Sequence, residues 1–236
     1  MHVHEWGRPD DVPLLFWHAL GPDASGTELR ELAPAIAGSG FHLLAVDGPG
    51  FGRTPALAPE RYRLDSLVEL LHELVEEREL DRPVLMGHSW GGAVAVLYTG
   101  TYPEDVRALV LLDSGHIDYR DLPNVDAERS VDEWISEVRE RPDPRRAEAR
   151  GMAMHGLTAR VSGAWPAIAQ HDIPTLLLLA TQPPHVEQNR AHVDRFQSAV
   201  PQAEIRWAEG AGHGLLADVG PPLGDEIAGW LVEQGL

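Results

Sequence analysis

Ser89 sits in the run Gly87-His88-Ser89-Trp90-Gly91, preceded by Val84-Leu85-Met86 and followed by Gly92-Ala93-Val94-Ala95-Val96-Leu97. The apolar run before it has the length of a buried strand and the stretch after it reads as a helix, which puts the serine on the turn between them. A side chain carried through so sharp a turn needs neighbours without a Cβ, and Gly87 and Gly91 provide them. The pentapeptide alone is a weak signal, and its place between strand and helix is what strengthens it. The helix N-terminus would aim backbone N–H groups and positive dipole at negative charge developing beside the hydroxyl. The chemistry this suits is nucleophilic attack on a carbonyl carbon.

Such attack requires a base and donors for the oxyanion. Histidine suits the first task because its ordinary pKa lies near neutrality, and the chain has 12 of them. One donor is expected from the N–H of the residue after the nucleophile, Trp90. The second is expected from His18-Ala19-Leu20-Gly21-Pro22, the loop after the apolar run Leu14 to Trp17. Leu20 is the chosen donor, with Ala19 behind it, although the same residues could form a plain Gly-Pro turn.

Several elements must position these groups. Strand-length apolar runs recur at Leu14-Leu15-Phe16-Trp17, Leu43-Leu44-Ala45-Val46, Val84-Leu85-Met86, Leu109-Val110-Leu111-Leu112 and Leu176-Leu177-Leu178-Leu179, most of them followed by a helical pattern. Short, continuously apolar runs between helices are what strands buried on both faces of a parallel sheet look like. The expected fold is therefore α/β, a doubly wound and mostly parallel sheet, with Val3 to Trp6 and Glu204 to Trp207 as edge strands. Leu64 to Leu80 reads as an amphipathic helix ended by Pro83.

From His116 to Asp172 the alternation breaks. Asp132 to Arg141 and a segment reaching about Arg160 read as helices flanking Pro142-Asp143-Pro144, and Trp134, Met152, Met154 and Trp165 are poor residues to leave in water. Residues 1–115 and 173–236 are expected to form the core, with 116–172 inserted as a helical cap.

Composition narrows the function further. At 43% hydrophobic and 24% charged, the 236 residues suit one folded domain. The formal charge of −18, with 37 acids against 19 basic residues that are all arginine, repels a phosphate backbone, so nucleic acid is an unexpected partner. No basic segment leads into an apolar one at the start, and no apolar run approaches the roughly 20 residues of a membrane helix. A cytoplasmic protein without a membrane partner is expected. The absence of cysteine removes thiolate chemistry and Cys-based metal sites. His2 and His4 would face one side of a strand, but two ligands without a third make a poor metal site. Neither metal nor cofactor is expected, and the oligomeric state is not legible.

Taken in order, His18-Ala19-Leu20-Gly21 after a strand, Asp47-Gly48-Pro49-Gly50-Phe51-Gly52-Arg53-Thr54, the turn at Ser89, the strand ending in Asp113 and Gly210-Ala211-Gly212-His213-Gly214 resemble the α/β-hydrolase superfamily over nearly the whole chain. Ala19 stands where that family usually has glycine. The resemblance implies a catalytic His213, a supporting His18 in the oxyanion loop and a structural rather than catalytic Asp47. His88 is expected to point away from the turn, packed or hydrogen-bonded. The family's triad acid falls between Ser and His in the chain, commonly after the strand at 175–180. Here that loop reads Thr181-Gln182-Pro183-Pro184-His185, with no carboxylate before Glu187. Asp113 is the expected acid, ahead of Glu187 and then Asp118.

The resemblance thus implies an esterase or lactonase working through an acyl-enzyme on a small, largely apolar substrate. Trp134, Met152, Met154, His155 and Trp165 are candidate cap residues for shaping its pocket. A serine nucleophile argues against the dehalogenase and epoxide-hydrolase branches, which need a carboxylate. Carbon–carbon bond hydrolysis, amide hydrolysis and perhydrolysis could use the same triad, and a small-molecule receptor of the same fold is the non-enzymatic alternative.

Overall fold

The computed structural model describes residues 1–21, 25–122, 125–130, 132–134, 136 and 144–236, with side chains in the last stretch described from 148. Seven strands form one sheet: β1 Val3–Trp6, β2 Val12–Trp17, β3 Phe41–Val46, β4 Val84–His88, β5 Ala108–Leu112, β6 Thr175–Ala180 and β7 Glu204–Ala208. Their order is β1-β3-β2-β4-β5-β6-β7, with β1 antiparallel to β3 and every other pair parallel. The sheet is thus the doubly wound α/β sheet expected from the apolar runs.

Alternation along each central strand divides the core in two. Leu15, Trp17, Leu44, Val46, Leu85, Leu109, Leu111, Leu177 and Leu179 face one layer. Leu14, Phe16, Leu43, Ala45, Met86, Val110, Leu112, Leu176 and Leu178 face the other. Both faces are covered by helices, so neither alternate set can be polar. Each fully buried leucine contributes roughly 1.5–3 kcal/mol of transfer free energy. The outer strands β1 and β7 remain partly exposed, as their weaker patterns suggested.

Helices α1 Ser25–Glu28 and α2 Ala33–Gly38 connect β2 to β3, and α3 Leu64–Glu77 leads to β4. α3 buries Leu64, Leu67, Val68, Leu71, Leu74 and Val75 along one stripe. It stops short of Leu80, because Glu79 takes a left-handed conformation (φ 52°) and Leu80 N–H closes the end by donating to Val75 O at 3.0 Å. The stop precedes Pro83, which therefore does not set it.

α4 Trp90–Thr101 follows the turn at Ser89 directly. Ser89 has φ 53° and ψ −112°, a conformation costing on the order of 1–3 kcal/mol for a residue with a Cβ. A Cβ on Gly87 would overlap the carbonyl of Gly91, and one on Gly91 would overlap the carbonyl of Trp17. The flanking glycines let the helix start press against β4 and β2, which lifts Ser89 above the sheet.

Between β5 and β6 lie α5 Pro144–Gly156 and α6 Trp165–Gln170, while most of the helix expected at Asp132 to Arg141 falls outside the described residues. Trp134, Met152 and Trp165 are buried. Trp165 Nε1–H donates to Gly115 O at 3.0 Å, tying this excursion to the loop after β5. After β6 come α7 His185–Ala199, β7, α8 Leu215–Val219 and α9 Pro221–Glu233. No helix among the described residues is long and apolar enough to cross a membrane.

Candidate active site

Three side chains converge at the carboxyl ends of the strands. Ser89 Oγ lies 2.9 Å from His213 Nε2, and His213 Nδ1 lies 2.6 Å from Asp113 Oδ2. Ser89 closes β4, Asp113 follows β5, and His213 stands on the loop between β7 and α8. This is the order and spacing a serine needs to pass its proton to an imidazole that a carboxylate orients.

Asp113 is tightly held. Its φ of 46° is left-handed, and its Oδ1 accepts from Ala180 N–H at 3.0 Å and Asn189 Nδ2 at 2.6 Å. Burial pushes its carboxyl up, but the hydrogen bonds from His213, Ala180 and Asn189 outweigh that and hold it below the ordinary carboxylate range. The other two acids weighed from sequence are placed elsewhere. Glu187 is exposed on α7, and Asp118 is bound to Ser162 and Arg160.

The oxyanion loop is braced in a way that separates its two candidate donors. Ala19 N–H donates to Glu28 Oε2 at 3.0 Å and is thereby spent, which leaves Leu20 next along the loop. Trp90 is the first residue of α4, where an N–H has no acceptor within its own helix. His18 lies under this loop, its Nε2 accepting from Gly48 N–H at 2.9 Å and its Nδ1 lying 2.5 Å from Ala19 O. Its buried ring joins the oxyanion loop to the turn after β3.

Glu28, like Asn189 beside Asp113, is a residue that sequence reasoning missed. Its other oxygen, Oε1, lies 2.5 Å from His88 Nδ1, and His88 Nε2 lies 2.6 Å from the backbone carbonyl of His213. His88 is hydrogen-bonded, and its partner on one side is the loop that carries His213. A single chain of contacts therefore runs from the oxyanion loop through Glu28 and His88 to the backbone of His213. Burial pushes Glu28 up and His88 down, yet their mutual attraction wins in both, lowering Glu28 and raising His88. Both directions favour the ionised form of the pair.

This pair has a definite pH signature. The raised His88 adds stability that is complete below its ordinary value of 6.5 and fades as pH rises through the folded-state value. The lowered Glu28 adds stability that is complete above 4.5 and fades as pH falls through its own. A double-mutant cycle of Glu28→Gln and His88→Gln, read by urea unfolding, is expected to show its largest coupling between those two values and a decline towards alkaline pH. Either single variant is expected to cost about 3–5 kcal/mol, because it strands a buried charge.

A cavity of about 140 Å³ opens beside Ser89 and His213. Ala93, Ile117, Leu122, Leu157 and Val161 give it apolar walls, and His116, His185 and Gln188 are polar points on its lining. No Arg or Lys is among the described lining residues. Of the five residues expected to shape the pocket from the insertion, none lines this cavity. Trp134, Met152 and Trp165 are instead core residues, since large apolar side chains gain most from full burial. His185 stacks on His213 with ring centroids 4.7 Å apart at 15°, and burial together with His213 lowers its pKa.

The sheet order, the strained serine and the chain of contacts to His213 and Asp113 define a protein of α/β-hydrolase architecture. The family model for the alpha/beta hydrolase fold matches residues 12–151, and the chain belongs to that family. Among curated proteins, 2-hydroxy-6-oxononadienedioate/2-hydroxy-6-oxononatrienedioate hydrolase 1 of Pseudomonas putida is 31% identical over 117 residues, 49% of this chain and 40% of that protein. The matched region thus spans about two fifths of the length of that relative.

Solved structures share the fold at low identity. A structure from a study of Nitrososphaera gargenis carboxylesterases superposes with a TM-score of 0.78 at 16% identity, covering 99% of this chain and 94% of that one. A monoacylglycerol lipase of Paleococcus ferrophilus gives 0.72 at 22%, covering 99% and 98%. A haloalkane dehalogenase variant of Bradyrhizobium elkanii gives 0.71 at 20%, covering 99% and 93%.

Proposed function

We propose that the protein is a serine hydrolase that cleaves a carboxylic ester or lactone of a small, largely apolar substrate through an acyl-enzyme. Ser89 Oγ attacks the carbonyl carbon while His213 Nε2 takes its proton, and Asp113 stabilises the imidazolium that forms. The N–H groups of Trp90 and Leu20 hold the oxyanion. His213 returns the proton to the leaving alcohol, and water deprotonated by the same ring releases the acid. The segment between β5 and β6 serves as the cap, contributing Leu157 and Val161 to the cavity wall.

The observation that carries this reading is the unbroken contact from Ser89 through His213 to Asp113, 2.9 Å and 2.6 Å, at the mouth of a small apolar cavity. Carbon–carbon bond hydrolysis is the second reading, favoured by the identity to the dienedioate hydrolases. A dioate brings two carboxylates, however, and the described lining offers no cation to meet them. Burying an unpaired carboxylate is costly, so the uncharged ester is the better fit.

A fluorophosphonate probe is expected to label Ser89, located by peptide mass spectrometry, and p-nitrophenyl acetate is expected to turn over faster than longer acyl esters. Lactones run beside the esters would show which of the two is preferred. Faster cleavage of 2-hydroxy-6-oxononadienedioate than of any ester would replace this reading with the second. A folded protein that does not label at all would be a binding protein rather than an enzyme.

A further inference from the structure

The third ligand that His2 and His4 lacked in the sequence is supplied by the fold. β1 pairs antiparallel with β3, Val3 opposite Val46, which brings both imidazoles to the side chain of Asp47 just beyond the end of β3. One ligand atom each from His2, His4 and Asp47 lie within 4.8 Å of one another. We propose that these three residues form a binding site for a divalent transition-metal ion of the zinc class, separate from the catalytic centre.

Four observations support the site. First, His2 Nε2 is buried and has no hydrogen-bond partner, a position that water or protein normally fills. Second, the carboxylate is fixed by its own partners. Asp47 is fully buried, its Oδ1 accepting from Ser25 N–H at 3.2 Å and Ser25 Oγ at 2.9 Å, and its Oδ2 from Arg53 N–H at 3.0 Å. Such outer partners are what orient a metal-binding carboxylate.

Third, the imidazoles are held in place. The His2 backbone is pinned on both sides, its N–H donating to Thr54 Oγ1 at 2.9 Å and its carbonyl accepting from Asp47 N–H at 2.9 Å. The His4 ring fills the space that a Cβ on Gly26 would need, and its Nε2 already lies 3.3 Å from Asp47 Oδ2. Fourth, both histidines are only partly buried, so solvent can deliver the ion and complete its coordination. Two imidazoles and one carboxylate, with a position left for water, are a donor set that zinc takes.

The three ligands lie outside the Ser89–His213–Asp113 contacts, although Gly48, next to Asp47, donates to His18 beneath the loop after β2. β3 and β2 stand between β1 and β4, which ends beside Ser89. Bound metal would clamp β1 and the Asp47–Thr54 turn together without entering the reaction.

The test is calorimetric titration of zinc chloride into the untagged, EDTA-treated chain, with melting temperature and p-nitrophenyl acetate hydrolysis followed at each equivalent. One saturable ion is expected to raise the melting temperature, and that rise is expected to disappear with His2→Ala whether or not the rate of hydrolysis shifts. His2→Ala is expected to weaken its binding by roughly tenfold or more. Asp113, His185 and His213 form the other compact cluster of such ligands among the described residues. Zinc that inhibits hydrolysis in step with occupancy and ignores His2→Ala would belong there and would overturn the proposal, as would the absence of saturable binding. Should His2→Ala fail to fold, anomalous diffraction at the zinc edge from wild-type crystals decides the matter. A peak among His2, His4 and Asp47 supports the site, and one elsewhere overturns it.

Discussion

Ser89→Ala is expected to lower kcat for ester hydrolysis by roughly 10⁵- to 10⁶-fold while the protein stays folded and its melting temperature changes little. The substitution removes only the Oγ, and Ala must adopt the same φ of 53°, so the backbone strain of the turn is carried over rather than relieved. The residual rate would come from the cavity and the oxyanion donors, which the variant retains. Stopped-flow assay of p-nitrophenyl acetate, with a burst in the wild type and none in the variant, is the direct check. A variant losing less than about 100-fold would mean that Ser89 is not the nucleophile, because a positioned base acting on water does not replace one so well.

Asp113→Asn is expected to cost about 10⁴-fold in kcat with KM little changed, and the structure gives the reason. The Oδ1 position accepts from Ala180 N–H and Asn189 Nδ2, so it selects the amide oxygen of an asparagine and turns its NH₂ towards His213 Nδ1. Facing a donor, Nδ1 becomes an acceptor and the ring proton moves to Nε2. His213 then presents N–H rather than a lone pair to Ser89. Glu187→Gln, at an exposed site on α7, is expected to leave kcat unchanged. Equal losses in the two variants, or an active Asp113→Asn, would remove Asp113 from the triad.

The residues of the site were legible in the sequence to the extent that their chemistry is local. Ser89 announces itself through glycines two positions to either side, and His213 through the glycine-rich loop around it. The sheet was legible for a similar reason, since strands covered on both faces leave continuous apolar runs. Glu28 and Asn189 could not be read in this way. Glu28 meets His88 across 60 residues and Asn189 meets Asp113 across 76, and neither position carries a local pattern that marks it. The acid lay between, since a carboxylate ending a strand is common, and only the contact to His213, 100 residues away, distinguishes Asp113 from a turn residue. His2 and His4 were visible as a pair but lacked Asp47, which the antiparallel pairing of β1 with β3 brings to them. Trp134, Met152 and Trp165, expected at the pocket, lie in the core instead for a physical reason: bulk and hydrophobicity identify what must be buried, and the core claims such residues as readily as a cavity does.

The Glu28–His88 contact chain also bears on when the chain becomes reactive. Ser89 and Asp113 leave the ribosome well before His213, and the brace from Glu28 has nothing to hold until the loop after β7 has docked beside β4. Contacts of such long sequence separation form late, because each closes a large loop of disordered chain. A half-made chain therefore has a Ser89 hydroxyl without its imidazole partner, and the same docking that completes the sheet assembles the candidate site.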